Sequence, residues 1–326
     1  MKTLVTGATG FIGTHLVKAL VEKGRDVRCL VRKTSNTTYL KKLGVELVYG
    51  DLLDRDSLKG IVKGVNIVYH LAGEVYSKRT SDYYKVNVDG TKNLLEACLP
   101  EKIKKFIYLS SISAVGPNPK QGILLNEKSP CKPITPYGKS KFEAEKLLME
   151  FFEKYRFPVV IIRAPTVYGP LGQPEMVTKI IRMIHKGHFL IVGSGKNLRS
   201  LCYVDNLIQG LTAVERISKS IGEIYFVSDE ETYTYNEIFQ IVAQQLGIGL
   251  KETHLPSWIG EICNFAFRSL SMLGFCPLPL YVVGSLVFDL ACDIRKAKEQ
   301  LNYKPRIDFK EGIERTIRYY LKKGAC

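Results

Sequence analysis

The feature that most constrains the fold is a regular alternation of short apolar runs and helical patterns across the first half of the chain. The runs are Thr3–Val5, Val27–Val31, Val45–Val48, Ile67–Leu71, Phe106–Leu109 and Val159–Ile162. Between them lie stretches with helical periodicity, such as "FIGTHLVKALVEKG" and "VDGTKNLLEACL". Continuous apolar strands separated by helices are typical of a parallel sheet that is buried on both faces. The sequence therefore predicts a doubly wound α/β fold.

The pattern changes after Tyr168. "MVTKIIRMIHKG" looks helical, "NLRSLCYVDNLIQGLTAV" indicates a strand and then a helix that begins at Asp205, and "GEIYFVS" indicates a further strand. We expect a sheet domain of residues 1–168 plus roughly 200–230, and a smaller, mostly helical unit of roughly 169–199 and 231–326. The smaller unit is expected to pack over the ligand-binding edge of the sheet and to hold the substrate.

The composition narrows the class of protein. Apolar residues make up 45% and charged residues 24% of the 326 residues, as in an ordinary globular protein. The formal charge is +15, but the basic residues are spread along the chain. This favours a solvated basic surface without nucleic-acid binding, and a basic channel for a phosphorylated ligand is the alternative.

The cysteines and the start of the chain bear on the compartment. The eight cysteines form no C-x-x-C pair, and the chain starts on a strand-like run, "MKTLVTG", so we expect no signal peptide. We therefore expect reduced thiols in a cytoplasmic protein.

One apolar segment raises the question of a membrane. The twenty residues of "SLSMLGFCPLPLYVVGSLVF", 269–288, carry no charge. Pro277 and Pro279 would break a spanning helix near its middle, so we expect no transmembrane segment. The preferred interpretation is buried core or an apolar pocket wall, and a peripheral membrane contact is the alternative.

The loop after the first strand carries glycines at 7, 10 and 13 in "TGATGFIG". Its G-x-x-G-x-x-G spacing differs from the usual dinucleotide fingerprint, but the strand–turn–helix context is the same. Gly7 permits the turn, Gly10 lets the backbone approach a diphosphate, and Gly13 lets the helix lie close to the sheet. The sequence therefore predicts a phosphate-binding loop in a Rossmann-type sheet.

The end of the second strand bears on the cofactor. Arg32 and Lys33 stand where an acidic residue would hold a ribose 2′-hydroxyl. A basic pair suits a 2′-phosphate, so we expect NADP in preference to NAD. The alternative is that Arg32 only stacks on the adenine or faces solvent.

A catalytic pair is indicated by "TPYGKSK", which places Tyr137 and Lys141 four residues apart on one helix face. A neighbouring ammonium favours the phenolate, and such a tyrosine can exchange a proton with a carbinol oxygen. The strand before it ends in Ser110 and Ser111, whose hydroxyls can donate to the same oxygen. Tyr319 and Lys323 repeat the spacing at the end of the chain, and we regard that copy as chance.

With these motifs the chain resembles the extended short-chain dehydrogenase/reductase family, the group that contains nucleotide-sugar epimerases and dehydratases. The resemblance runs nearly end to end and includes "TGATGFIG", "GDLLD", "YHLAG", "NVDGTKNLLEAC", "LSSISAVG", "YGKSK", "RAPTVYGP", "YVDNL" and "DIRKAKEQLNYKPRIDFKEGIERTI". It implies hydride transfer between a nicotinamide and a secondary alcohol or ketone. It also implies a homodimer formed through two helices, one of which carries Tyr137.

The resemblance assigns roles to single residues. Ser111, Tyr137 and Lys141 would be catalytic, Asp51 and Leu52 would flank the adenine, and Ala72 would lie along the cofactor. The expected cofactor-binding residues are Gly7, Thr9, Gly10, Phe11, Ile12, Gly13, Arg32, Lys33, Asp51, Leu52, Leu71, Ala72, Gly73, Asn87, Ser110, Tyr137, Lys141, Ala164 and Val167.

The substrate stays open between classes. Ile112 and Ser113 replace the Asp-Glu pair of the family's dehydratases, whereas Arg199 matches the arginine that clamps a sugar nucleotide's diphosphate. We therefore favour a nucleotide sugar, in the manner of a UDP-glucose 4-epimerase, with Arg199 and Tyr168 as substrate-binding residues. The alternative is an NADP-dependent reductase of a hydrophobic substrate, of the 3-hydroxysteroid or dihydroflavonol type, since "GSLVFDLAC" and 269–288 are apolar. A non-catalytic NADP-binding sensor or scaffold is the alternative from another class.

The remaining histidines carry less weight. His185 and His188 form an H-x-x-H pattern without a third ligand near in sequence, so we expect a solvated helix face and no metal site. His70, in "YHLAG", is expected to pack beneath the cofactor rather than to react.

Overall fold

The computed structural model describes residues 1–118, 120–171, 176–185, 190–249 and 253–323. The strands are β1 Lys2–Thr6, β2 Asp26–Val31, β3 Glu46–Tyr49, β4 Ile67–His70, β5 Lys105–Ser111, β6 Val159–Ala164, β7 Thr166–Tyr168, β8 Ile191–Val192, β9 Leu198–Tyr203, β10 Ile224–Phe226, β11 Thr232–Thr234 and β12 His254–Leu255. The helices are α1 Phe11–Glu22, α2 Thr38–Lys42, α3 Thr80–Tyr84, α4 Gly90–Cys98, α5 Pro136–Tyr155, α6 Met176–His185, α7 Val204–Arg216, α8 Tyr235–Leu246, α9 Ser257–Met272, α10 Leu278–Ser285, α11 Arg295–Leu301 and α12 Phe309–Lys322.

The core of the fold is a seven-stranded parallel sheet in the order β10-β6-β5-β4-β1-β2-β3. Every residue of β4, β5 and β6 is buried, which is why these strands read as continuous apolar runs in the sequence. The order reverses on either side of β1, so the carboxyl ends of β1 and β4 border the crevice in which such sheets bind ligands. The predicted doubly wound α/β fold is confirmed.

The chain beyond β6 builds two small sheets and most of the remaining helices. One sheet has the order β11-β9-β7, and the other pairs β12 with β8. Helix α7 begins at Val204, one residue before the predicted start, and β10 returns to the edge of the large sheet beside β6. The predicted smaller, mostly helical C-terminal part is therefore present.

Helix α5 is placed against the end of β5 by a close contact. Thr135 caps the helix by accepting a hydrogen bond from the backbone N–H of Gly138 at 2.9 Å, and Pro136 occupies its first turn. Gly138 lies directly against the backbone carbonyl of Ser113, where a side chain would collide. Because of this contact, the first turn of α5 reaches the turn that follows Ser111.

The uncharged segment 269–288 forms a helix–turn–helix hairpin. Helix α9 ends at Met272, Pro277 precedes α10, and Gly284 packs against the backbone of Asn264. Within this segment Cys276 and Tyr281 face inward, but Met272, Leu273 and Phe275 are exposed. The expectation of buried core or pocket wall is thus correct for one side of the hairpin and wrong for the other. In the described part of the chain, no helix is both long and apolar enough to cross a bilayer.

Candidate active site

The glycine loop forms a cradle between β1 and α1. Gly7 has a φ of +69°, and a Cβ added to it would lie 2.7 Å from the backbone nitrogen of Ala72. Gly13 packs so tightly on the carbonyl of Gly7 that it leaves no room for a side chain. Helix α1 has Gly10 as its N-cap, and its first turn contains no acidic residue. The helix therefore presents unobstructed backbone N–H groups, which fit an anionic diphosphate.

The residues that follow the next strands lie along the same edge of the sheet. Arg32 and Lys33 are exposed just after β2. Asp51 follows β3, and its Oδ1 accepts a hydrogen bond from the N–H of Leu53 at 2.9 Å. Among the other expected cofactor residues, Thr9, Gly10 and Gly73 are exposed, Ile12, Leu71 and Ala72 are half-buried, and Phe11, Leu52, Ala164 and Val167 are buried.

Lys141 is held at the end of β5 by two hydrogen bonds. Its Nζ donates to the carbonyl of Leu109 at 2.8 Å and to the hydroxyl of Tyr108 at 3.1 Å. The side chain is only 4% exposed. Burial lowers the pKa of Lys141 to about 7, and the carboxylate of Glu145 opposes that shift. With this pKa the lysine carries its charge at and below about neutral pH, and it lies four residues after Tyr137.

A fully hydrogen-bonded set of side chains lies beneath this lysine. The hydroxyl of Thr91 donates its proton to the carbonyl of Asn87 at 2.6 Å, so it must accept the 2.9 Å bond from Nε2 of His70. His70 is then neutral with its proton on Nε2, and its Nδ1 accepts from Thr6 at 2.7 Å. The Thr6 hydroxyl in turn accepts from the N–H of Ala72 at 3.2 Å.

The electrostatics of His70 agree with this assignment. Burial, and to a smaller degree the nearby ammonium of Lys141, lower the pKa of His70 to about 3. The hydroxyl of Tyr108 also bonds to Thr91, which links the histidine to the lysine. A chain of hydrogen bonds therefore runs from Lys141 through Tyr108, Thr91, His70 and Thr6 to the wall of the glycine loop.

Ser111 caps the short 3₁₀ turn Ile112–Ala114 that follows β5. Its Oγ accepts a hydrogen bond from the N–H of Ser113 at 3.1 Å, which leaves the hydroxyl proton available to a ligand. Gly138 brings the first turn of α5, and with it Tyr137, against the same turn. Ser111, Tyr137 and Lys141 are thus gathered where β5 meets the start of α5.

Apolar and aromatic side chains of the C-terminal part cover this region. Tyr137 packs in one cluster with Tyr83, Phe267, Cys276, Leu280 and Tyr281. Tyr281 also forms a hydrogen bond with the side chain of Ser113, and burial is the main reason why its pKa is raised. Tyr281 lies in the segment 269–288, but the sequence analysis missed it because it weighed only the apolar character of that segment.

Arg199 on β9 lies behind α10. Its guanidinium donates to the carbonyl of Ser285 and sits 4.9 Å from the centroid of the Tyr235 ring. The side chain is buried, and its Nε has no hydrogen-bond partner among the described residues. Arg199 also acts electrostatically on Tyr281, so the arginine and the Tyr137 cluster share that neighbour.

The structure corrects three of the expected contacts. Adjacent strand residues face opposite sides of a sheet, so the hydroxyl of Ser110 turns away from the Ser111 side and bonds to Glu145, which is ion-paired with Arg163. The side-chain amide of Asn87 is fully used by the backbone of Glu74 and by Ser140. These two side chains are therefore engaged within the protein, and their hydrogen bonds position the neighbouring residues.

The third correction concerns Tyr168. Its side chain is buried against Tyr203 and Phe309, and its hydroxyl donates to Oδ2 of Asp229 at 3.0 Å. Burial raises the pKa of Asp229 to about 7, and three hydrogen bonds oppose that shift. The expectation that the Tyr168 side chain contacts a substrate is wrong, because β7 directs it into the core beneath α12.

The histidine pattern and the cysteines give no further site. His185 is exposed in the last turn of α6, and His188 lies outside the described residues. Across the described ranges, no group of three or more His, Cys, Asp or Glu side chains is arranged to hold a metal ion. The seven described cysteines are free thiols.

The sheet, the glycine cradle and the Tyr137–Lys141 pair define an enzyme of the extended short-chain dehydrogenase/reductase type. Residues 3–227 match the NAD dependent epimerase/dehydratase family. The chain belongs to that family.

Three known proteins show the range of this likeness. The dTDP-D-glucose 4,6-dehydratase of Mus musculus is 28% identical over 98% of this chain and 89% of its own length. The sterol-4-alpha-carboxylate 3-dehydrogenase, decarboxylating, of the same species is also 28% identical, over 99% of this chain and 92% of its own. The crystal structure of UDP-glucuronic acid 4-epimerase from Bacillus cereus, in complex with UDP-glucuronic acid and NAD, superimposes with a TM-score of 0.79 at 28% identity, covering 99% of this chain and 100% of that one.

Proposed function

We propose that this enzyme oxidises and re-reduces a secondary alcohol carbon of a nucleotide sugar, as a UDP-glucose 4-epimerase does. The observation that supports the proposal is the buried Lys141 ammonium, which donates hydrogen bonds to Tyr108 and Leu109 on β5, the strand that ends at Ser111. A bound nicotinamide dinucleotide would supply the hydride acceptor and donor. The glycine cradle of Gly7, Gly10 and Gly13 fits its diphosphate.

The three site residues have distinct roles in the proposal. Ser111 donates its free hydroxyl proton to the reacting oxygen and holds it in place. Tyr137 removes the proton from that oxygen as the carbon is oxidised and returns it on reduction. Lys141 favours the phenolate of Tyr137 through its positive charge, and Tyr108 and Leu109 fix the position of that charge.

We also propose that the cofactor is NADP rather than NAD. Arg32 and Lys33 are exposed at the end of β2, on the edge that carries the glycine cradle. Guanidinium and ammonium groups there would pair with a 2′-phosphate, whereas a carboxylate would favour the free 2′-hydroxyl.

The choice of a sugar nucleotide rests on Arg199 and on the lack of a second acid–base pair. The unpartnered Nε of this buried arginine is suited to a diphosphate oxygen. The turn after Ser111 carries Ile112 and Ser113 in place of two carboxylates, which argues against the 4,6-dehydration named for the murine relative. Reversible oxidation needs only the three residues already described.

A hydrophobic alcohol or ketone is the second candidate substrate. The observation that favours it is the cluster around Tyr137, in which Tyr83, Phe267, Leu280 and Tyr281 form an apolar wall. One murine relative is named for a dehydrogenation at C3 of a sterol. The same serine, tyrosine and lysine would serve that reaction.

A substrate panel separates the two candidates. Purified protein loaded with NADP or NAD is incubated with UDP-, dTDP- and GDP-sugars and, separately, with 3-hydroxysteroids and dihydroflavonols, and the products are identified by NMR. The nucleotide sugar is supported if the parent epimerises a sugar, Arg199→Met does not, and the exposed control Arg295→Met still does. Turnover confined to the apolar panel, with no effect of Arg199→Met, would replace it by the second candidate. Tight cofactor binding without turnover of either panel would support a sensor or scaffold.

The quaternary and cellular expectations remain proposals. By likeness to the family, we propose a cytoplasmic homodimer formed through two helices, one of them α5. Light scattering coupled to gel filtration measures the mass directly, and a mass near 36.8 kDa would contradict the dimer.

A further inference from the structure

A row of large apolar side chains faces outward from α9. Trp258, Ile262, Phe265 and Met272 are 56%, 57%, 74% and 77% exposed. Their spacing of four, three and seven residues places them on one side of the helix. The other side of α9 is the one that packs inward, through Gly260, Phe267 and Ser271.

The turn that links α9 to α10 extends this row. Leu273 is 73% exposed and Phe275 is 63% exposed. We call the six residues Trp258, Ile262, Phe265, Met272, Leu273 and Phe275 the apolar face. Contiguous exposed apolar surface of this kind marks a contact with another molecule or with a membrane.

Basic residues border the apolar face. Arg79 forms a β-bridge with Phe275, and the N–H of Thr80 donates to the carbonyl of Gly274 at 3.0 Å. The N–H of Cys276 donates to the carbonyl of Lys78 at 2.9 Å. The exposed Lys78 and Arg79 are therefore fixed beside the exposed Leu273 and Phe275.

The charge around the apolar face is mostly positive. Arg268 on α9 is exposed as well, and the acidic residue of that helix is Glu261. Lys78, Arg79 and Arg268 form no ion pair with another described residue. The chain as a whole carries a formal charge of +15. If a second copy of the chain docked on this face, its Lys78, Arg79 and Arg268 would repel the same residues of the first copy. An anionic surface would instead neutralise these charges.

We propose that the apolar face docks the enzyme on an anionic lipid bilayer, as a peripheral contact. Leu273, Phe275 and Phe265 enter the boundary between headgroups and acyl chains, Trp258 lies at the headgroup level, and Lys78 and Arg79 pair with lipid phosphates. The hairpin does not cross the bilayer and lies flat on the membrane surface.

The proposal does not depend on the identity of the substrate. The apolar face and the site wall are two sides of the same hairpin, because Phe267 and Tyr281 point from it towards Tyr137. Substitutions on the apolar face therefore leave the site wall intact, and activity on a water-soluble substrate reports correct folding.

The chain contains one tryptophan, and it lies on the apolar face, so its emission reports docking directly. The full-length protein is mixed with vesicles of phosphatidylcholine, with and without phosphatidylglycerol. We expect a blue shift of Trp258 emission, quenching by brominated acyl chains, and co-sedimentation with the anionic vesicles only.

Two pairs of variants with matched controls complete the test. Leu273→Ser with Phe275→Ser, and separately Lys78→Glu with Arg79→Glu, each lower the vesicle partition coefficient by about tenfold or more. The controls are Ile123→Ser with Leu321→Ser, which are exposed apolar residues elsewhere, and Lys322→Glu with Lys323→Glu. These controls retain the parent's binding.

Three results would overturn the proposal. The first is protein that stays in the supernatant with unshifted emission in the presence of anionic vesicles. The second is equal loss of binding in the control variants. The third is a dimer in light scattering that Leu273→Ser with Phe275→Ser converts to a monomer, which would assign the apolar face to a second copy of the chain.

Discussion

Lys141 donates a hydrogen bond to the hydroxyl of Tyr108 across 3.1 Å, and the same ammonium lies 4.5 Å from the centroid of the Tyr108 ring. The two residues come from α5 and β5, so the contact connects the helix that carries Tyr137 to the centre of the sheet. Tyr108 passes the connection on to Thr91 and His70. The position of the lysine is thus set by buried polar groups that a sequence motif does not contain.

Burial of Lys141 predicts a pH dependence of stability. Its pKa is lowered from 10.5 to about 7, so between these values the unfolded chain binds a proton that the folded chain does not. Stability therefore rises with pH across this window, with a slope of up to about 1.4 kcal/mol per pH unit. Urea unfolding at pH 7 and pH 9 measures the free energy of unfolding at each pH. We expect this free energy to rise with pH in the parent and in Lys323→Met, but not in Lys141→Met. An equal rise in Lys141→Met would contradict the assignment.

Because His70 is neutral in the folded protein, we expect the stability of the protein to depend on pH below about pH 6.5. Its pKa is lowered from 6.5 to about 3, so stability falls as the pH drops through this window, because only the unfolded state takes up the proton. We expect His70→Gln to weaken the loss of stability between pH 6.5 and pH 5, with His185→Gln, at an exposed position, as control. Identical acid dependence in His70→Gln and the parent, measured by urea unfolding, would show that His70 protonates freely.

Gly7 and Gly44 offer a matched test of the glycine cradle. Both have positive φ, +69° and +67°, but an added Cβ meets Ala72 at Gly7 and nothing within 4 Å at Gly44. Gly44→Ala is expected to cost about 1–2 kcal/mol of stability from backbone strain alone and to bind cofactor normally. Gly7→Ala is expected to lose more stability than Gly44→Ala and to abolish cofactor binding. Thermal unfolding and cofactor fluorescence measure both, and intact binding in Gly7→Ala would remove the cradle from the proposal.

Arg32→Asp tests the cofactor preference. Replacing the guanidinium by a carboxylate repels a 2′-phosphate and can accept a bond from a ribose hydroxyl, so the ratio of NADP to NAD dissociation constants rises about tenfold or more. Arg216→Asp, which makes the same charge change at an exposed position in the last turn of α7, leaves the ratio unchanged. If Arg32→Asp leaves the ratio of NADP to NAD dissociation constants unchanged, the proposed preference for NADP is wrong.

Five of the six apolar runs could be identified from the sequence because their strands are largely buried and contain few polar residues. The sixth run belongs to the edge strand β3, whose residues are half-buried or exposed. Tyr137 and Lys141 could be found because one helix turn separates them. Their partners could not be found in this way. Tyr108 and Tyr281 reach the site only through long-range packing, and both read as ordinary strand or helix residues.

The apolar character of a segment also does not show which side of a helix or strand packs against the rest of the protein. Tyr281 and Phe275 belong to the same uncharged segment 269–288, but Tyr281 packs in the cluster around Tyr137 and Phe275 is 63% exposed. Ser110 and Ser111 show the same limit within a strand, since one faces Glu145 and the other faces the candidate site.

The central claim is that Tyr137 moves a proton at a secondary alcohol oxygen, and the second Y-x-x-x-K copy at Tyr319 supplies its control. Single-turnover absorbance of reduced nicotinamide at 340 nm is recorded with cofactor-loaded protein and the substrate identified from the panel. The account predicts that Tyr137→Phe lowers the rate by about 10²- to 10⁴-fold while the protein still binds cofactor, and that Tyr319→Phe keeps the parental rate. A Tyr137→Phe protein that turns over at the rate of Tyr319→Phe would contradict it.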